Sequence, residues 1–120
     1  MPQESGSGEG RVAILQGTLD LMVLQTLEAL GPQHGFGVAR RIEQVSGNAL
    51  RLNQGTIYAS LVRLQQEGGI AAAWGVSENG RKAKFYSLTR SGRRRLLQER
   101  RDWERMAGVM GRVLQLAGRS

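Results

Sequence analysis

Cysteine is absent from the 120 residues, which excludes disulfides, thiolate catalysis and every zinc site with a cysteine ligand. Histidine occurs once, at His34. A lone imidazole without cysteine cannot build a common zinc site, so no metal or other cofactor is expected. Long apolar runs are missing too. The longest, Ile70 to Trp74, has five residues, against about 20 needed to cross a bilayer, and no membrane role is expected. The N-terminal stretch MPQESGSGEGR has neither the basic nor the apolar region of a secretory leader, which points to the cytoplasm. No Ser/His/Asp arrangement, phosphate loop or close carboxylate pair stands out. Asp102 and Glu104, two residues apart, point about 200° from each other on a helix and cannot share a proton. An enzyme is therefore not expected.

What is present is basic charge. Lys plus Arg number 17 against 10 Asp plus Glu, a formal net charge of +7, which favours a polyanionic partner. The surplus is local. Arg81, Lys82, Lys84, Arg90, Arg93, Arg94, Arg95, Arg100, Arg101 and Arg105 face only Glu99, Asp102 and Glu104, while the other 95 residues are balanced. Hydrophobic residues make up 40% of the chain, enough for a packed core rather than a disordered basic tail.

Residues 1–12 are polar and Gly/Ser-rich and read as a disordered tail. Residues 13–89 hold the recognisable elements of one domain, and residues 90–117 one long helix. From Thr18, TLDLMVLQTLEAL is apolar at 19, 22, 23, 27 and 30, the helical spacing, and also at 21 and 24 on the other side. A helix apolar nearly all round needs cover on two sides, one from its own core and the other from a partner subunit. Gly31-Pro32 ends it. GFGVARRIEQVSG places Val38, Ile42 and Val45 on one face of a short helix. GTIYASLVRLQQEGG places Ile57, Leu61 and Leu64 on one face of a third, with Gly55, Thr56, Ala59, Arg63 and Gln66 opposite. IAAAWGVSENGRKAKFYSLT reads as two strands about an Asn79-Gly80 turn. In the last helix Leu96, Trp103, Met106, Met110, Val113 and Ala117 take heptad a and d positions, interrupted by Glu99. The small domain before it cannot bury so long a stripe, so a homodimer seam is expected.

Three helices, a basic hairpin and a long helix, in that order, make a mainly α fold with a small β-hairpin: a winged helix-turn-helix plus one C-terminal dimerisation helix. The third helix of such a fold enters the major groove of double-stranded DNA, and the hairpin tip reaches phosphates or the minor groove. Gln54, Thr56 and Arg63 are the candidate base-edge residues, since Gln pairs adenine and Arg pairs guanine; an exposed polar helix face is the plainer reading. Arg81, Lys82 and Lys84 on the wing are candidate phosphate contacts, setting affinity and salt dependence rather than sequence. An interaction module that docks an acidic protein is the alternative.

The segments LQGTLDLMVLQTL, HGFGVARRIEQVSG, QGTIYASLVRLQQEGGI and SENGRKAKFYSLTRSG, with Trp103-Glu104-Arg105, resemble the PadR-type transcriptional regulators, in particular the short subclass with one C-terminal helix. The resemblance covers about Leu15 to Leu116. It implies a ligand-responsive homodimeric repressor on a palindromic operator. It further suggests that Tyr58 touches the DNA backbone through its hydroxyl, although a core-edge aromatic fits the residue equally well. His34-Gly35 matches a turn before a helix. Trp103 resembles a tryptophan that stacks flat aromatic compounds between subunits in some members, with dimer packing as the simpler role; Arg100, one turn earlier, would make such a pocket cationic. Two departures are expected to loosen the third helix: Gly69 in place of a Leu or similar residue, and Ala59 where proline is common.

Overall fold

The computed structural model describes residues 16–116; the tail expected at residues 1–12 and the last stripe residue, Ala117, lie outside them. Helix α1 spans Gln16–Leu30. Leu19, Val23, Leu24 and Leu27 are buried, an arc of about 140° at 100° per residue. Met22, expected on this core face, is only half-covered, and Leu30 is exposed. Together with half-buried Leu21 they leave the outer side of α1 unfilled. Asp20 falls inside the buried arc and is 3% exposed.

After Gly31, residues Gln33–His34 form a short strand, β1. Helix α2, Gly35–Val45, is capped by His34, whose Nδ1 accepts the Gly37 N–H at 3.1 Å; the expected turn role is that of an N-cap. Val38, Ala39 and Ile42 are buried, but Val45 is 72% exposed and leaves the face assigned to it. Glu43 accepts the Leu52 N–H at 2.8 Å and Ser46 Oγ the Leu50 N–H at 3.1 Å. These side-chain bonds hold the link that carries buried Leu50 and Leu52 into the next helix. Helix α3, Gln54–Gln66, starts at Asn53, whose Oδ1 accepts the Thr56 N–H at 2.7 Å. It packs Ile57, Ser60, Leu61 and Leu64 inward.

Strands β2 (Ile70–Val76) and β3 (Lys82–Leu88) pair antiparallel from Ile70↔Leu88 to Val76↔Lys82. Gly80 turns the loop at φ 76°, the left-handed region where glycine is favoured. The hairpin is in fact part of a three-stranded sheet, ordered β1-β3-β2, because Gln33 and His34 pair with Tyr86 and Phe85. Helix α4, Arg90–Leu114, is capped by Thr89, whose hydroxyl accepts the Gly92 N–H at 2.9 Å.

Leu96, assigned to the dimer stripe, is 1% exposed and belongs to the core of its own chain. The reason is its place in the first two turns of α4, where the helix still lies against α1 and the sheet. From Arg100 to Leu116 every residue is exposed, and the molecule measures 61 × 33 × 23 Å. The architecture is a winged helix-turn-helix from which the second half of a long helix projects.

Candidate nucleic-acid interface

Three elements converge on an open groove of about 1010 Å³, bounded by α2, the first turns of α3 and the hairpin. Gln54 and Tyr58, one turn apart on α3, line it together with Arg81, Lys82 and Lys84 from the hairpin. Arg40 of α2 also lines it. Sequence reasoning passed over Arg40 because it lies outside the charged run, on a helix read only for its apolar face. Tyr58 is 58% exposed, so it is not a core aromatic.

The remaining two α3 candidates are not brought to this groove. Thr56 lies about 160° and Arg63 about 180° round the helix from Gln54, and Arg63 faces α1. The Arg63 guanidinium is turned inward onto Asp20, with Nη2 at 2.6 Å from Oδ1 and Nε at 3.1 Å from Oδ2. Ser60 Oγ donates to the same carboxylate at 2.7 Å. The hydrogen bond to Asp20 holds the Arg63 pKa above its ordinary value. An aspartate with 4% of its side chain exposed is costly to bury unless it is paired and hydrogen-bonded, and Arg63 is its partner. The arginine expected to read a base thus fastens α3 to α1. The face that α3 does expose carries Gln54, Gly55, Tyr58, Ala59, Gln65 and Gln66, so Gly55, Ala59 and Gln66 are exposed as expected while Thr56 and Arg63 are partly covered.

On the hairpin, the loop closes with the Ser77 N–H donating to the Arg81 carbonyl at 2.8 Å and the Arg81 N–H to Ser77 Oγ at 3.3 Å. The Arg81 side chain makes no ion pair among the described residues and is exposed. Lys82 and Lys84 flank Trp74, with Nζ 6.0 and 5.8 Å from the ring centre.

A second cavity, about 760 Å³, lies on the outer side of α1 between the end of α2 and α4. Leu21, Met22, Leu30 and Val45 line it, with Trp103 and Arg100. Arg41 and Glu104 lie at the same wall, so two arginines face one glutamate there. Trp103, Met106, Met110 and Val113 are 49–59% exposed and follow one side of α4.

Residues 23–98 match the family described as transcriptional regulator PadR-like. A PadR-like transcriptional regulator from Bacillus cereus is 23% identical, with a TM-score of 0.74 over 86% of this chain and 97% of that one. A PadR family transcription regulator from a hypervirulent Clostridium difficile is 26% identical, with a TM-score of 0.69 over 80% of this chain and 97% of that one. An uncharacterized 37.1 kDa protein in a transposon of Streptomyces fradiae is 38% identical over 97 residues. That alignment takes in 81% of this chain but only 25% of the relative.

Proposed function

The chain belongs to the PadR-like family of transcriptional regulators and is a DNA-binding regulator; from that premise we propose that it is a repressor that binds a palindromic operator as a homodimer and is released by a small aromatic effector. The observation that carries this reading is the shared groove, in which Gln54 and Tyr58 of α3 open onto Arg81, Lys82 and Lys84 of the wing. In this arrangement α3 enters the major groove, Gln54 meets base edges, and the wing cations and the Tyr58 hydroxyl meet flanking phosphates.

Dimerisation is supported by the projecting half of α4. A helical segment exposed on all sides and containing Gly108 and Gly111 is a poor candidate for independent stability, since isolated helices of this length are marginal. Trp103, Met106, Met110 and Val113 form the side a second copy would cover, continued by the outer side of α1. Two copies related by a twofold axis would present their α3 helices to half-sites about 34–36 Å apart, one turn of DNA. The second cavity lies beside this seam. Trp103 offers a stacking surface for a flat ring, and Arg41 and Arg100, against Glu104 alone, suit an anionic compound.

The test is a mobility shift on DNA flanking the protein's own gene at physiological salt, with unrelated DNA as competitor. A shift that survives excess competitor, at two chains per site, is the expected result. Equal competition by unrelated DNA would overturn the operator reading and favour docking of an acidic protein. An effector that fits the cavity lowers the shift and quenches Trp103 fluorescence.

A further inference from the structure

Trp74 is 66% exposed and Val76 71% exposed, an unusual pair of large apolar side chains to leave open on a wing. Directly opposed residues in an antiparallel ladder point to the same face. The register pairs Ile70 with Leu88, Ala72 with Tyr86, Trp74 with Lys84 and Val76 with Lys82, so all eight share one face of the hairpin. At its inner end that face is buried: Ile70 is 2% and Tyr86 5% exposed, against the helices of the domain. At its outer end the same face runs past the core and carries Trp74, Val76, Lys82 and Lys84. Lys82 and Lys84 line the groove shared with α3, and both ammonium groups sit beside the Trp74 ring.

Core packing does not account for this indole, and hairpin stability alone does not call for a tryptophan with two lysines over it. An apolar side chain flanked by cations suits the wall of a DNA groove, where sugars and base edges are apolar and phosphates lie on either side. Apolar wedges of this kind recur in proteins that contact the minor groove, and indole stacking on nucleic acid is tolerant of sequence. We propose that Trp74 is a direct DNA contact, packing its indole against deoxyribose at the wing while Lys82 and Lys84 hold the phosphates beside it. This inference rests on the reading of the wing as part of the DNA interface and adds a non-ionic contact to it.

An ionic contact and an apolar one are separated by salt. Removing one phosphate-binding cation lowers the salt slope of binding by about 0.9, whereas removing an apolar group lowers affinity equally at all salt concentrations. Binding to a mixed-sequence duplex of about three helical turns is therefore measured across a salt series for wild type, Trp74→Ala, Trp74→Phe and Arg81→Ala. Trp74→Ala is expected to weaken binding about tenfold with the slope unchanged, and Trp74→Phe about threefold. DNA addition quenches tryptophan emission in wild type and much less in Trp74→Phe, which keeps Trp103 as its remaining indole. An affinity for Trp74→Ala within twofold of wild type, while Arg81→Ala still flattens the slope, would overturn the indole contact and leave the wing reading standing. A flattened slope for Trp74→Ala would also overturn it, since the ring would then act only by placing the lysines. Failure of wild type to bind the duplex would sink the wing reading itself. Melting temperatures exclude misfolding, and the exposed site should leave them unchanged.

Discussion

At the scale of single residues, Arg63 and Arg81 differ: Arg63 is tied to Asp20, whereas Arg81 makes no ion pair among the described residues and is left for the proposed DNA contact. Asp20 sits among leucines and valines of α1 and binds Ser60, Arg63 and, at 3.9 Å, Arg95, which also reaches Glu67 at 2.6 Å and Glu99 at 2.7 Å. One carboxylate thereby ties α1, α3 and α4 together. Removing one partner of a buried pair strands the other. Asp20→Ala should cost about 3 kcal/mol in urea unfolding at fixed protein concentration. Arg63→Ala should lower stability in the same direction while leaving DNA affinity, measured well below the transition, within about threefold. A tenfold loss of affinity with stability intact would return Arg63 to the DNA-contact set. Arg81 has no such duty. Arg81→Ala should weaken binding to every duplex sequence and flatten the salt slope by about 0.9 per protomer; a change in sequence preference at constant slope would instead make Arg81 a base reader. The hairpin and the place of its cations were legible in the sequence, because Arg81, Lys82 and Lys84 follow the Asn79-Gly80 turn. The Asp20 tie was hidden. An acid inside TLDLMVL signals that a partner is needed, but the partner lies 43 residues away, and periodicity carries no information across that distance.

At the scale of elements, the junction between wing and α4 shows how a local departure is absorbed. Gly69 stands where an apolar anchor was expected, and the entry of α4 takes up the space. The Thr89 N–H donates to the Gly69 carbonyl at 3.1 Å and Thr89 Oγ1 to the Gly68 carbonyl at 2.7 Å. Gly92, the residue that Thr89 caps, lies so close that a Cβ there would collide with the carbonyl of Gly69. A Cβ on Gly69 itself would meet Leu64, Gly92 and Leu24 atoms at 3.7–3.8 Å, ordinary contact. The two alanine substitutions should therefore differ in sign. Gly92→Ala should destabilise by about 2 kcal/mol, the cost of forcing packed backbone apart. Gly69→Ala should stabilise by about 0.4–1 kcal/mol through the unfolded chain. Denaturation midpoints decide it, and an unshifted midpoint for Gly92→Ala would show that α4 can lift from the sheet at no cost. The four helices and the hairpin were readable from spacing and turn residues. Strand β1 was not, since two residues hold no alternation, and Gln33 and His34 become a strand only because β3 lies alongside.

At the scale of the whole molecule, the surplus of +7 that suggested a polyanion resolves into paired and free charge. Arg93 is bound to Glu28, Arg95 to Asp20, Glu67 and Glu99, and Arg105 lies 4.0 Å from Asp102 at the exposed surface. Arg90, Arg94, Arg101, Arg105 and Arg112 fall within about 60° of one another on α4 at 100° per residue. That side is opposite Trp103, Met106, Met110 and Val113. A subunit packed on the apolar side would leave the arginines in solvent, where they act at long range and mainly raise the association rate. The seam is tested most cleanly by Met106→Glu. Met106 is 59% exposed in the single chain, so a carboxylate there costs the isolated fold almost nothing, unlike one at buried Leu96. In a dimer two such carboxylates would be buried near the twofold axis without partners, which costs several kcal/mol. Sedimentation should then give the mass of one chain, with far-ultraviolet helicity reduced only by fraying of α4. Binding to a palindrome should fall to the level of a single half-site, because two domains no longer act at one another's effective concentration. A Met106→Glu protein that still sediments as a dimer would place the seam elsewhere and leave the exposed side of α4 without the role given to it.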